Sequence, residues 1–347
     1  MSPASTPASR LIPRRILLIQ IRRMGDVVLS TALAETVHRA LPHAEVDFLV
    51  GRAAEPLLRE NPHIHARLVL DREHPVRMWR MVRQRRYDWI VDVQSNPRTA
   101  MLSLMSRAPV RVGWDVRGWR WVYTYRLSRV RAPEYVVRER QRLLELLGVP
   151  AAPVQARLYL SESERAQGEI DARAFGAPPD RPRVGLVLGS QDAARTWRVE
   201  AFVDVAEALA ADGLVPVLFH LPGDDARVEH FLARTSAAVL APLPDLRRFL
   251  AVLATCRLFI SGNTGPAHMA DALGVPRVAI FGATSPVQWS PPRATVAVVR
   301  DERVPVMALR EGMRLAAAGR DLTAGVTPAM VLTAARALLQ SGDPAAR

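Results

Sequence analysis

The chain has 347 residues, 49% of them hydrophobic and 23% charged, with a formal net charge of +13 and a single cysteine, Cys256. That length favours two domains over one, each able to bury an ordinary core. One cysteine excludes an intramolecular disulfide and a cysteine-rich metal site, and no apolar run reaches the ~20 residues that span a bilayer.

The charge is uneven. Residues 1–150 hold 26 Arg against 14 acidic residues, residues 151–347 hold 21 against 20, and there is no Lys. All-Arg usage reads as composition bias, but the asymmetry implies that the N-terminal half faces something anionic: a membrane surface, a phosphorylated acceptor or a nucleic acid. Residues 1–13 are rich in Pro, Ser and Ala without a long apolar core, so the expectation is a disordered tail, no secretory signal and, by default, a cytoplasmic location.

In chain order, Arg15–Ile21 reads as a buried parallel strand, followed by a turn over Arg22–Asp26 and a helix from Val27 to Leu41 that Pro42 closes. Strands are expected at Ala44–Val50 and Leu68–Leu70, a basic helix at Val76–Arg86, a strand at Trp89–Val93 and a helix at Tyr135–Leu147. Residues 161–181 read as an interdomain link. The alternation then restarts: strands Arg183–Leu188, Val215–Phe219, Leu258–Ile260 and Arg277–Phe281, helices Phe202–Ala211, Leu246–Thr255 and Pro266–Leu273, and a last helix Pro328–Leu339. Such alternation predicts doubly wound parallel sheets, whose ligands lie beyond the C-terminal strand ends.

Two segments on those edges carry the chemistry. Gly25 permits a tight turn, and Asp26 falls at or near a helix N-cap, either as a plain cap or as a catalytic carboxylate whose ionisation the helix dipole, Arg22 and Arg23 favour. In the second, Ser261–His268, the glycines let backbone approach a ligand. The free N–H groups from Thr264 onward suit a diphosphate, and His268 can donate to it; the alternative is a glycine turn with a surface His. Gly189, Ser190 and Arg195 follow another strand, with Ser190 placed to bond a phosphate and Arg195 to neutralise a leaving diphosphate, while Trp197 reads as packing. Asp225 is a further donor-side candidate, and Phe281–Pro286 reads either as a wall of the nucleotide site or as a plain turn. Arg77, Arg80 and Arg83 recur around Trp79 and Met81, either as a membrane-surface helix or as a solvated helix face. Cys256 reads as a packed thiol. The eight His show no metal-ligand spacing and no DxD-type pair stands beside the diphosphate segment, so no metal is implied.

Taken together, Ile16–Thr31, Tyr87–Gln94, Arg195–Trp197 with Glu200 and Phe202, and Ser261–Pro276 continuing into Phe281–Pro286 resemble glycosyltransferase family 9, the ADP-heptose:lipopolysaccharide heptosyltransferases. The resemblance implies the α/β GT-B fold, two Rossmann-like doubly wound domains facing across a cleft. Domains are expected at 14–165 (acceptor) and 166–326 (nucleotide sugar), with 327–347 a helix crossing back to the first. It implies an inverting, metal-independent transferase without cofactor. Asp26 would be the general base; Gly25, Gly189, Ser190, Arg195, Asp225, Asn263, Thr264, Gly265 and His268 would bind ADP-heptose. Arg52, Arg98 and Arg111, near predicted strand ends, are acceptor candidates. The expected partners are an anionic lipid-linked glycan and the inner face of the inner membrane, with no nucleic acid. The family usually has Lys at Arg195, Asp at Asn263 and Pro at Ala283, departures that leave a non-catalytic sugar-nucleotide binder or another donor sugar as alternatives.

Overall fold

The computed structural model describes residues 12–129, 134–153, 155–189 and 195–341. Nearly all of the expected tail, and Ser190, lie outside them. Two compact units meet at 159/160, slightly ahead of the expected break at 165/166.

The first unit runs β1 (Arg15–Ile19), α1 (Met24–Ala40), β2 (Glu45–Val50), β3 (Ala66–Val69), α2 (Pro75–Gln84), β4 (Trp89–Asp92), α3 (Pro97–Met105), β5 (Val110–Trp114), β6 (Tyr125–Leu127) and α4 (Val136–Glu145). Its sheet is parallel throughout, in the order β3-β2-β1-β4-β5-β6. Ile16 to Ile19 of central β1 are each 0% exposed, which is why that strand reads as an unbroken apolar run. Burying each such side chain contributes about 1.5–3 kcal/mol.

The second unit runs α5 (Glu162–Ala174), β7 (Arg183–Val187), α6 (Val199–Ala211), β8 (Val215–Phe219), α7 (Asp225–Leu232), β9 (Val239–Ala241), α8 (Leu246–Leu253), β10 (Leu258–Gly262), α9 (Gly265–Leu273), β11 (Arg277–Phe281), α10 (Pro286–Trp289), β12 (Val296–Arg300), α11 (Leu309–Ala317) and α12 (Pro328–Ser341). Its sheet, β12-β11-β10-β7-β8-β9, repeats the winding of the first, and both have the Rossmann order. The order in which strands are added reverses between β1 and β4 in one sheet and between β7 and β10 in the other, so ligands are expected beyond those four strand ends.

Two expectations are corrected. Residues 161–181 are not a link: Ser161 and Glu164 form a reciprocal capping box that starts α5. That helix packs on α8, with Glu164 paired to Arg247, Asp171 to Arg248, and Gly168 so close that a Cβ there would lie 2.4 Å from the Ala251 carbonyl oxygen. The final helix, expected to cross back to the first unit, belongs to the second. Val331, Ala335 and Leu338 of α12 are buried in the second unit's core, and Arg336 pairs with Asp212 at the end of α6. Among the described residues no helix is long and apolar enough to cross a membrane.

Candidate active site

The β1–α1 turn is held from both sides. The Gln94 side-chain oxygen, just past β4, accepts from the Ile21 and Arg22 amides at 2.8 and 2.9 Å, and Gln20 donates to the Arg22 carbonyl at 3.0 Å. The backbone reverses at Arg23, the N-cap residue, with φ 61° and ψ 113° and no side-chain cap. A non-glycine residue there stores backbone strain of order 1–3 kcal/mol. Thus Arg23, not Gly25, takes the left-handed turn; Gly25 is buried inside the helix. Asp26 is not the cap but the third residue of α1, where its carboxylate sits over the helix's positive end.

A residue that sequence reasoning missed determines where that carboxylate points. Arg140 of α4, with a side chain only 7% exposed, donates to the Asp26 carbonyl at 2.6 Å, to Ser30 Oγ at 2.8 Å and to the Asp26 carboxylate, which keeps 21% of its surface in solvent. The carboxylate is therefore oriented by one buried fork and still reachable. Arg129 lies over the Trp114 ring at 4.5 Å and pairs with buried Glu139 at 3.6 Å, and burial pushes the Glu139 carboxyl up. A signal for Arg140 was present. Residues 138–142 are all polar, and five successive positions exceed one helical turn, so a packed α4 must point some of them inward.

On the far side of the switch point, fully buried Asp92 closes β4. It accepts from the Gln94 and Ser95 amides at 3.1 and 2.8 Å and from the Tyr123 hydroxyl at 2.7 Å; burial, only partly offset by these bonds, pushes its carboxyl up to about 6. Ser95, at φ 50°, donates to the Asp92 carbonyl and accepts from the Trp114 amide, so the turn that presents Gln94 is rigid.

Of the acceptor candidates, Arg52 and Arg98 are exposed at the starts of the 3₁₀ turn Arg52–Leu58 and of α3, both on the ligand edge. Arg111 is corrected: it sits near the start of β5, and its guanidinium donates to the Val122 and Ala108 carbonyls. It is a structural brace on the opposite side of the sheet from the strand ends.

In the second unit the segments after β7 and β10 converge. Arg195 Nη1 donates to the Asn263 carbonyl at 3.3 Å, and a Cβ at Gly262 would lie 2.4 Å from the Arg195 carbonyl oxygen. Only glycine permits this approach. Thr264 caps α9 by accepting from the Ala267 amide. A helix start leaves four amides without intrahelical partners. Here Pro266 has none to give and Thr264 occupies that of Ala267, so the cradle narrows to the Thr264 and Gly265 N–H groups rather than everything from Thr264 onward. His268 is buried, with its ring 6.1 Å from that of Trp289, so it is not a surface His.

Asn263, 1% exposed, donates to Thr284 Oγ1 at 3.2 Å, while its own Oδ1 has no hydrogen-bond partner among the described residues. A buried acceptor left open at a ligand edge is an energetic cost unless a ligand satisfies it. Gly189 lies against a carboxylate, but that of Asp224, 2.0 Å from a Cβ placed there; Asp225 is exposed and pairs with His220 at 2.9 Å. Trp197 packs edge-on to Phe202, Cys256 is buried as a packed thiol, and Ala283 joins an apolar cluster with Leu322.

The "Glycosyltransferase family 9 (heptosyltransferase)" family matches residues 76–318. The chain is similar to the lipopolysaccharide core heptosyltransferase OpsX of Haemophilus influenzae, at 22% identity over 80% of this chain and 82% of that one. It is similar also to lipopolysaccharide heptosyltransferase 2 of Escherichia coli K12, at 24% identity over 80% and 85%. Its fold superposes on the crystal structure of a family 9 glycosyltransferase from Veillonella parvula with a TM-score of 0.85 and 22% identity, over 95% and 98% of the two chains. With the family match running through the switch point of the second sheet and over more than half of the chain, this protein belongs to glycosyltransferase family 9 and is a glycosyltransferase.

Proposed function

We propose that the chain transfers heptose from ADP-heptose to a lipopolysaccharide core acceptor, with inversion and without a metal ion. Asp26 takes the proton from the acceptor hydroxyl as that oxygen attacks C1 of the donor sugar and ADP departs. Arg195 and the start of α9 carry the charge that develops on the diphosphate, work that a cation would otherwise do. That its relatives are lipopolysaccharide heptosyltransferases, one of them solved as an ADP-heptose enzyme, supports the donor and acceptor classes. The observation that carries the reading is the Asp26 carboxylate, part-exposed at a topological switch point and oriented by the buried Arg140. The +12 charge of residues 1–150 suits a phosphorylated, lipid-linked acceptor at the inner face of the inner membrane.

The test is transfer from ADP-heptose to heptose-deficient core lipid, read by mass spectrometry with EDTA present. Loss of a general base lowers rate by ~10²–10⁴. Asp26→Ala is expected to lose transfer by that factor while calorimetry shows ADP binding intact; near-wild-type turnover sinks the assignment. A second reading, transfer of another sugar, is favoured by Asn263. Its neutral amide offers an acceptor without the carboxylate usual in the family, and a panel of ADP-sugars separates the two.

A further inference from the structure

We propose that the outer face of α2 is a docking surface for an anionic lipid bilayer. From Pro75 to Tyr87 the chain carries five arginines and no Asp or Glu, and Arg72 lies just ahead. Of these six cations only Arg85 is neutralised, by Asp47 at 2.8 Å. Arg72, Arg77, Arg80, Arg83 and Arg86 make no ion pair among the described residues, and Arg72, Arg77, Arg80 and Arg86 are exposed. Elsewhere in this unit some exposed arginines find carboxylates, as Arg39 finds Glu35 and Arg59 and Arg67 find Glu55, while others such as Arg52, Arg98 and Arg107 find none among the described residues; α2 differs in gathering its arginines on one helix with no acidic residue among them.

The helix is fixed in place beneath this face. Met78 and Val82 are buried in the core with Leu68, Tyr87 and Ile90, and Trp79 Nε1 donates to the Met105 carbonyl at 2.9 Å. Its apolar side is therefore not free to enter acyl chains, and only the charged side and the exposed tip Val76 meet a partner. That combination fits adhesion to headgroups rather than insertion. Single-stranded nucleic acid fits less well: the one aromatic ring on this face, Trp79, is half-buried and covered by the Arg83 guanidinium 5.5 Å from its centre, leaving no stacking platform. The surface bears on the membrane partner of the proposed reaction but not on the chemistry at Asp26, and vesicle binding is read without any transfer step.

Each arginine near an anionic surface is worth about a fivefold gain in partitioning. The experiment is flotation of the full chain with phosphatidylglycerol and with phosphatidylcholine vesicles. Wild type is compared with Arg77→Gln/Arg80→Gln/Arg83→Gln and with the charge-matched control Arg173→Gln/Arg310→Gln/Arg314→Gln from the second unit. Thermal melts confirm that each folds. The expected result is salt-sensitive binding to phosphatidylglycerol only, weakened about 100-fold in the α2 variant and by less than fivefold in the control. Equal losses in both variants would show that net charge alone attracts the membrane. Binding of a DNA duplex that exceeds vesicle binding and vanishes in the α2 variant would assign the face to nucleic acid. Either outcome overturns the proposal.

Discussion

Replacing Arg140 by Ala separates holding the proposed base, Asp26, from being that base. The guanidinium bonds the Asp26 carbonyl, the Asp26 carboxylate and Ser30 Oγ, and its side chain is 7% exposed. Breaking a fully buried pair costs about 3–5 kcal/mol. The Asp26 carboxylate keeps 21% of its surface in water, so rehydration recovers part of this, and a loss of about 2–3 kcal/mol is expected in a denaturant titration. The kinetic effect is bounded above by the whole general-base contribution, ~10²–10⁴, and a misplacement of about 1 Å costs ~10². We therefore expect kcat to fall roughly 10- to 100-fold with the donor KM nearly unchanged, because the donor segments belong to the other unit. Added guanidine should restore part of kcat, and in an Asp26→Ala background the Arg140 change should cost nothing further in rate. A folded Arg140→Ala enzyme with wild-type kcat would refute the orienting role. So would a full, additive rate loss on top of Asp26→Ala.

Other predictions follow from the same geometry. Asp92, held up at about 6 against an ordinary 3.8, binds its proton more tightly folded than unfolded. Its contribution to stability therefore falls as pH rises from about 4 to about 6 and stays low above that, by at most about 3 kcal/mol. The stability difference between Asp92→Asn and wild type should grow across that interval and level off beyond it; a difference flat with pH would exclude the titration. Gly262→Ala forces a Cβ against the Arg195 carbonyl, so it should cost about 1–3 kcal/mol and weaken ADP binding by displacing Arg195. Unchanged ADP affinity in the folded variant would separate Arg195 from the diphosphate.

The strands read from the sequence are those whose position in the sheet leaves one signal. β1, β7 and β10, central and covered on both faces, are continuous apolar runs, and their bounds come out within a few residues. Edge strands such as β6 and β9, three residues each, carry too little periodicity to see. The α5 helix reads as a link because its composition is polar, although Ser161 and Glu164 spell a capping box. At the site, the residues carried by glycine-rich turns were legible because chain geometry there demands particular residue types. For Arg140 the polar run 138–142 signals only that some polar side chain of α4 turns inward; which one, and what it holds, depends on a contact 114 residues away in sequence. Arg111 misled for the converse reason: a strand position gives no sign that a guanidinium will fold back onto carbonyls.

A chain with 47 basic residues, all arginine, gives composition bias every chance to scatter cations at random, yet folding sorts them. The arginines with nearly buried side chains, Arg140, Arg183, Arg247 and Arg277, each face a carboxylate: Asp26, Glu169, Glu164 and Asp271. That follows from the large cost of an unpaired buried charge. Arginine also suits these positions better than lysine. At 140, two nitrogens of one rigid fork reach three acceptors at once, which a single ammonium cannot do while holding the Asp26 carboxylate in a fixed direction. Exposed arginines are under no such compulsion, because water solvates them, and only some, such as Arg39 and Arg59, acquire partners from the nearest helical turn. The α2 face concentrates the exposed kind: neighbouring arginines repel one another across it, and from Pro75 to Tyr87 no acidic residue is interleaved to relieve them. Repulsion of that kind destabilises the isolated fold slightly and is relieved by dissolved counter-ions or by an anionic surface, so the same electrostatics that orient Asp26 inside the unit leave α2 suited to an anionic partner outside it.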